Sequence, residues 1–167
     1  LKSPTMTISI PLNEINVHNF LLLAALVHVF EEFVFPGGFE TEFKAMLSRI
    51  NLQVTNSWLI FTNLLFLSGV VITQFSNSVF FGFAIISVAF INGLLHLGKS
   101  IHVRRYFPGV ISACFLYIPL GIFSIIGAEL TPGKKVLGIL CGLGLHGFPL
   151  VMLVIFFKRR VGKDMRS

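Results

Sequence analysis

The run LLLAALVHVFEEFVF, residues 21–35, decides the fold. It stays apolar for two helical turns before it admits His28, Glu31 and Glu32, and the helix is then broken by Pro36, Gly37 and Gly38. A helix resting on a water-soluble core would show a polar face along its whole length, and this one shows none before His28. The spacing predicts a membrane span over about residues 17–35, since crossing the hydrocarbon takes ~20 mostly apolar residues.

Four further stretches of the same character follow, at about 57–75, 79–97, 109–128 and 136–157. Turn chemistry at Ser76-Asn77-Ser78 and Thr131-Pro132-Gly133 separates neighbouring spans. Over about 39–50, Phe39, Phe43, Met46, Leu47 and Ile50 recur at helical spacing among Glu40, Thr41, Lys44 and Ser48, as a helix lying in the membrane interface requires. The expected fold is therefore all-α: a polytopic transmembrane bundle of about five spans with one short interfacial helix, in a single membrane domain of residues 1–167. Its basic tail, KRRVGKDMRS, occupies residues 158–167. No internal repeat is visible, so the inverted-repeat architecture of many transporters has no support.

Composition agrees: 54% of residues are hydrophobic and 12% charged, about half the charged fraction of a soluble domain. The net charge of +6 does not point to nucleic acid, because the basic residues sit at helix ends and in the tail. Instead they report topology. Lys44, Arg49, Lys99, Arg104, Arg105, Lys158, Arg159, Arg160, Lys163 and Arg166 fall on one side, and Lys2, Lys134 and Lys135 on the other. Positive charge marks the cytoplasmic side, so the N-terminus is expected outside and the C-terminus in the cytoplasm. Membrane lipids are the expected surroundings, with the 19 phenylalanines facing acyl chains. Cys114 and Cys141 lie in apolar stretches and behave as small hydrophobes. The residues after Leu1 do not read as a signal peptide.

His28, Glu31 and Glu32 are spaced i, i+3 and i+4, so both carboxylates flank the imidazole on one helix face. Each charged residue near the middle of a span costs about 2.5–3.5 kcal/mol without a partner or a neutralising proton. Two other spans offer partners. Asn92 and His96 are i and i+4 near the cytoplasmic end of the third span, and His146 follows the Gly138–Gly142 stripe of the fifth, which should face another helix. Imidazole and carboxylate together suit a divalent transition metal, zinc, iron or manganese. The ligands assigned are His28, Glu31, His96 and His146, with Glu32 as general acid or base; the spacing itself does not choose between the two carboxylates.

Missing motifs set other membrane chemistries aside. There is no His-Glu-x-x-His and no array of His-x-x-His-His boxes. The Glu31-Glu32 pair is reminiscent of CAAX-type proteases, but Pro36 stands where their Arg would fall, and no Gly-x-Ser-x-Gly nucleophile motif is present.

His28-Val29-Phe30-Glu31-Glu32, together with His96 and Tyr106-Phe107-Pro108-Gly109, resembles the small bacterial membrane proteins named for the His-x-x-Glu-Glu (HXXEE) motif. The resemblance implies a fold and a site location, in a bacterial inner membrane, and no particular activity. Tyr106-Phe107-Pro108-Gly109 also has a structural reading: proline suits a first helical turn and a tyrosine ring the interface. The alternative is catalytic, with the Tyr106 hydroxyl reaching the site as a donor. Arg105 is a candidate partner for a carboxylate, while His102 and Arg104 are expected to be solvated or lipid-facing. The leading expectation is a metal-dependent enzyme acting on a lipidic or small apolar substrate at the cytoplasmic leaflet, by hydrolysis with zinc or oxidation with iron. Two alternatives are a proton-coupled carrier using the same His/Glu relay, and an accessory subunit whose polar cluster glues helices together or docks on a larger membrane complex; the partner expected is a homo-oligomer or such a complex.

Overall fold

The computed structural model describes residues 17–50 and 52–164, with side chains as far as Ile155. Lys2, Arg166 and the last residues of the basic tail lie outside the described residues, as does the segment following Leu1. The described chain is helical, with no strand, and forms six helices: α1 (Val17–Phe33), α2 (Phe39–Ser48), α3 (Asn56–Phe75), α4 (Val79–Val103), α5 (Val110–Gly127) and α6 (Pro132–Asp164).

Helices α3 to α6 are each long and apolar enough to cross a membrane. The 17 described residues of α1 rise about 25 Å, a little less than the hydrocarbon core, and pack within the same bundle against α3 and α5. Two elements outrun the sequence expectation. Helix α4 continues past residue 97 to Val103, where Arg104 takes a left-handed conformation (φ 54°) and ends it. Helix α6 starts at Pro132 rather than 136, since proline fits a first turn and Thr131 accepts the Lys135 N–H. It then runs on through the expected tail to Asp164.

Helix α4 is the central post. Of its most apolar window, 56% is buried, against 17% in α3 and in α6. It supplies Ile85, Ile86 and Ala89 to a core shared with Leu21, Ala24 and Ala25 of α1, Val70 of α3, and Tyr117 and Leu120 of α5. Gly138 and Gly142 of α6 press onto Phe83 and Ser87 of α4, where an added Cβ would come within 2.5 and 2.7 Å. The glycine stripe therefore faces a helix, as its spacing predicts. Outward, Phe75, Phe115 and Ile126 are almost bare, and they belong to an apolar girdle suited to acyl chains.

Two local features shape the end of the bundle that carries the ionisable cluster. The amphipathic α2 is pinned by Leu47 to Val54, Leu59 and Leu153, with Phe39 and Phe43 beside them, and turns a Glu40–Lys44 pair outward. Helix α5 contains a π-helical turn, Ala113–Tyr117, in which the Ile118 N–H reaches back to the Ala113 carbonyl. Pro119 supplies the physical reason, because its ring lacks an N–H and crowds the carbonyl of Phe115, four residues earlier.

Candidate metal centre

The C-terminal half of α1, the C-terminal half of α4 and the first turn of α5 meet at one end of the bundle, where His28, Glu31, Glu32, His96 and Ser112 are all buried. Their polar atoms form a nearly closed account.

Glu31 closes the start of α5. The first turn of any helix leaves N–H groups without intrahelical partners and carries partial positive charge. One Glu31 oxygen accepts the Ile111 N–H and the Tyr106 hydroxyl, each at 3.0 Å. The other accepts the Ser112 N–H at 2.7 Å and the Ser112 hydroxyl. Its lone pairs are committed to these four donors. Glu31 is therefore not among the converging ligand atoms, contrary to the sequence assignment. The i+3 position turns it toward α5, whose N-terminus captures it.

Glu32, at i+4, takes the place assigned to Glu31. Its Oε1 lies 3.4 Å from His28 Nε2 and 3.0 Å from His96 Nε2. The remaining ring nitrogens are already engaged. His96 Nδ1 is 2.6 Å from the Pro108 carbonyl, a pure acceptor, so Nδ1 carries the proton. His28 Nδ1 is 2.7 Å from Ser112 Oγ. The single hydroxyl proton of Ser112 is given to Glu31, so Ser112 accepts from His28, and its Nδ1 is protonated too. In the neutral rings both Nε2 atoms then present lone pairs to a carboxylate oxygen. Asn92 Nδ2 donates to His28 Nε2 at 2.9 Å, but nothing positive separates Glu32 from the two imidazoles. Such a triangle of acceptors calls for a shared proton or a cation.

The dimensions fit a cation. Ligand atoms of His28, Glu32 and His96 all lie within 4.8 Å of one another, and tetrahedral zinc with bonds of about 2.0–2.2 Å separates its ligands by about 3.3 Å. This cluster could hold a metal ion, and two His with one carboxylate is a donor set common to zinc and non-haem iron.

Gly109 makes the approach of the two rings possible. It sits at φ 90°, just before α5, and an added Cβ would come within 2.7 Å of the His96 ring and 2.8 Å of the His28 ring. Phe39 and Phe107 close on His96, each with a ring-centre distance of 5.6 Å, and Tyr117 lies 4.4 Å from His28.

The other sequence candidates fall around this centre. Asn92 touches it through His28. Tyr106 ends on Glu31 rather than on the three converging residues, and burial together with the Glu31 charge pushes its phenol up to about 12. Arg105 leaves the cluster altogether and pairs with Glu42 at 2.7 Å. His146 is half-buried and within electrostatic reach of His96 and Glu32, but outside the group of three. His102 and Arg104 are exposed, as expected. Ser112 and Tyr117 are parts of the centre that the sequence reading did not single out; Pro108 and Gly109 were read as part of a motif and a helix start, not as groups that touch the imidazoles.

No curated protein and no solved structure matches the chain. A match does come from the family described as "Protein of unknown function with HXXEE motif", over residues 19–124, which include His28, both glutamates, His96, Tyr106-Phe107-Pro108-Gly109 and Ser112. Since that match takes in more than half of the chain and every residue of the cluster, this membrane protein belongs to the HXXEE family.

Proposed function

We propose that the protein is a metal-dependent membrane enzyme acting on a lipidic or small apolar substrate at the cytoplasmic leaflet of a bacterial inner membrane. The observation that carries this reading is the convergence of two Nε2 atoms on one Glu32 oxygen, at 3.0 and 3.4 Å, while both Nδ1 atoms are held elsewhere. His28, Glu32 and His96 are the ligands, and His146 is a further imidazole within electrostatic reach of the last two. Bound there, zinc would supply Lewis-acid chemistry for a hydrolysis, and iron redox chemistry for an oxidation.

The chain's own residues prepare the ligands. Glu31, through Ser112, fixes the tautomer and direction of His28, and the Pro108 carbonyl does the same for His96. Phe39 and Phe107 keep water from His96 and favour an apolar substrate. The cytoplasmic assignment rests on the excess of Lys and Arg at the cluster's end of the bundle.

A second reading draws on the same chain of contacts. Tyr106, Glu31, Ser112, His28, Glu32 and His96 form a continuous polar path from a partly exposed phenol into the bundle, and a proton-coupled carrier could use it with no metal. Metal analysis of detergent-purified protein separates the two. Stoichiometric zinc, iron or manganese is expected in the wild type and lost in His28→Ala, Glu32→Ala and His96→Ala. His146→Ala reports whether a third imidazole takes part as a fourth ligand. A folded wild type that binds no metal would replace the enzyme reading with the proton path.

A further inference from the structure

Tyr117 stands at the end of the π-helical turn with its side chain fully buried, and its hydroxyl has no hydrogen-bond partner in the protein. Its surroundings are otherwise those of a core aromatic. The ring lies against His28 at 4.4 Å with a 34° tilt, the Phe66 ring meets it edge-on at 6.3 Å, and its Cβ rests on Gly93. A phenylalanine would fill the same space and bury no polar atom. Burying a hydroxyl without a partner is unfavourable, and native interiors rarely do so without a reason. The π turn has a part in this, because the extra residue it inserts sets the direction of the side chains that follow Ala113, and such turns cluster at functional sites.

The neighbourhood indicates what the hydroxyl serves. Tyr117 packs on the imidazole whose Nε2 is one of the three converging ligand atoms, and it lies within electrostatic reach of the Glu32 carboxylate. Glu32 does not take its proton: the Glu32 contacts are the two imidazoles. With three protein ligands, a metal keeps a position for an exogenous group. We propose that Tyr117 is a specificity-determining residue of the metal site, donating its hydroxyl proton to an acceptor oxygen of the substrate held at that position. The substrate class narrows accordingly, to an apolar molecule bearing a carboxylate, ester or comparable oxygen. This inference rests on the metal reading above.

Cobalt(II) substitution with acetate as the probe tests it, in wild type and Tyr117→Phe, using the visible cobalt spectrum in detergent. Tyr117→Phe should take up cobalt within about 2-fold of the wild-type affinity and bind acetate about 10-fold or more weakly, the loss of one hydrogen bond to a charged oxygen. Thermal midpoints of the metal-free proteins supply the second readout. Removing an orphaned hydroxyl should leave the Tyr117→Phe midpoint unchanged or higher. Cobalt uptake with equal acetate affinities, including no binding in either protein, would overturn the Tyr117 role alone. So would a metal-free Tyr117→Phe that melts well below wild type, since the hydroxyl would then have a structural partner. A wild type that takes up no cobalt would overturn the metal reading and this inference with it.

Discussion

Glu31 holds Ser112 twice, through its backbone N–H at 2.7 Å and through its hydroxyl, and so ties α1 to the first turn of α5. The adjacent Glu32 makes neither contact and faces two imidazoles. Two identical side chains, one residue apart, are thus given different work. Glu31 neutralises a helix terminus and, through Ser112, orients the His28 ring from behind; Glu32 supplies the oxygen on which the two imidazoles converge.

Glu31→Gln separates these duties. The amide offers one acceptor oxygen in place of two, and whichever way it turns its NH₂ meets a backbone N–H, of Ile111 or Ser112, that has no lone pair to give it. Hydrogen bonds to a charged acceptor contribute about 1.5–3 kcal/mol, so a loss of that order is expected. A clear fall in the thermal midpoint in detergent, with metal still bound at reduced affinity, is the expected outcome. Complete loss of metal with unchanged stability would mean that Glu31 is a ligand after all.

Gly109→Ala tests the close approach of the rings. A side chain at φ 90° is strained by about 1–3 kcal/mol even in open space. Here the new methyl would also meet the His96 ring at 2.7 Å and the His28 ring at 2.8 Å. Both imidazoles must retreat, so metal content should drop together with stability. Gly98→Ala, at a helical glycine with nothing within 4 Å, should leave both unchanged.

The helices were legible because hydropathy and turn residues act locally: the apolar runs, the Ser76-Asn77-Ser78 break and the amphipathic pattern from Phe39 all became the elements they predict. The depth of His96 was legible as well, since spans alternate direction. The choice between Glu31 and Glu32 was not. On a helix, i+3 and i+4 share a face, and the deciding group, the N-terminus of α5, lies about 80 residues further on. Arg105 was undecidable for a similar reason: its partner, Glu42, sits on the interfacial helix, whose placement depends on Leu47 packing under Leu59 and Leu153. The π turn, by contrast, could have been anticipated from Pro119 in the middle of a span.

Tyr106 gives a pH signature. Its phenol is pushed up to about 12 by burial and by the Glu31 carboxylate it donates to, whereas an unfolded tyrosine ionises near 10. The folded protein thus holds this proton more tightly than the unfolded chain. The stabilisation is fully present below about pH 10 and is lost as pH rises through about 12. Unfolding midpoints should therefore decline across that window in the wild type and decline less in Tyr106→Phe. Absorbance at ~295 nm should show no tyrosinate from Tyr106 at pH 10 in the native protein. Identical profiles for the two proteins would remove Glu31 as the partner of Tyr106.

Ser112 and Asn92 hold opposite edges of the same imidazole, and their substitution should move metal affinity in opposite directions. Ser112 accepts the His28 Nδ1 proton and passes its own to Glu31, so it keeps Nε2 unprotonated and aimed at Glu32. Without the hydroxyl the ring can rotate or change tautomer, and outer partners of this kind are worth about 10–100-fold in affinity. Ser112→Ala should weaken metal binding by that factor, while its backbone N–H still holds Glu31 and limits the loss of stability. Asn92 instead donates to Nε2 itself and competes for the lone pair that a metal would take. Asn92→Ala should leave affinity unchanged or raise it. Competition against a chromophoric chelator measures both. Weakening in both variants would make Asn92 a second support of the site, and no change in Ser112→Ala would show that the direction of His28 is set by its packing against Tyr117 rather than by Glu31.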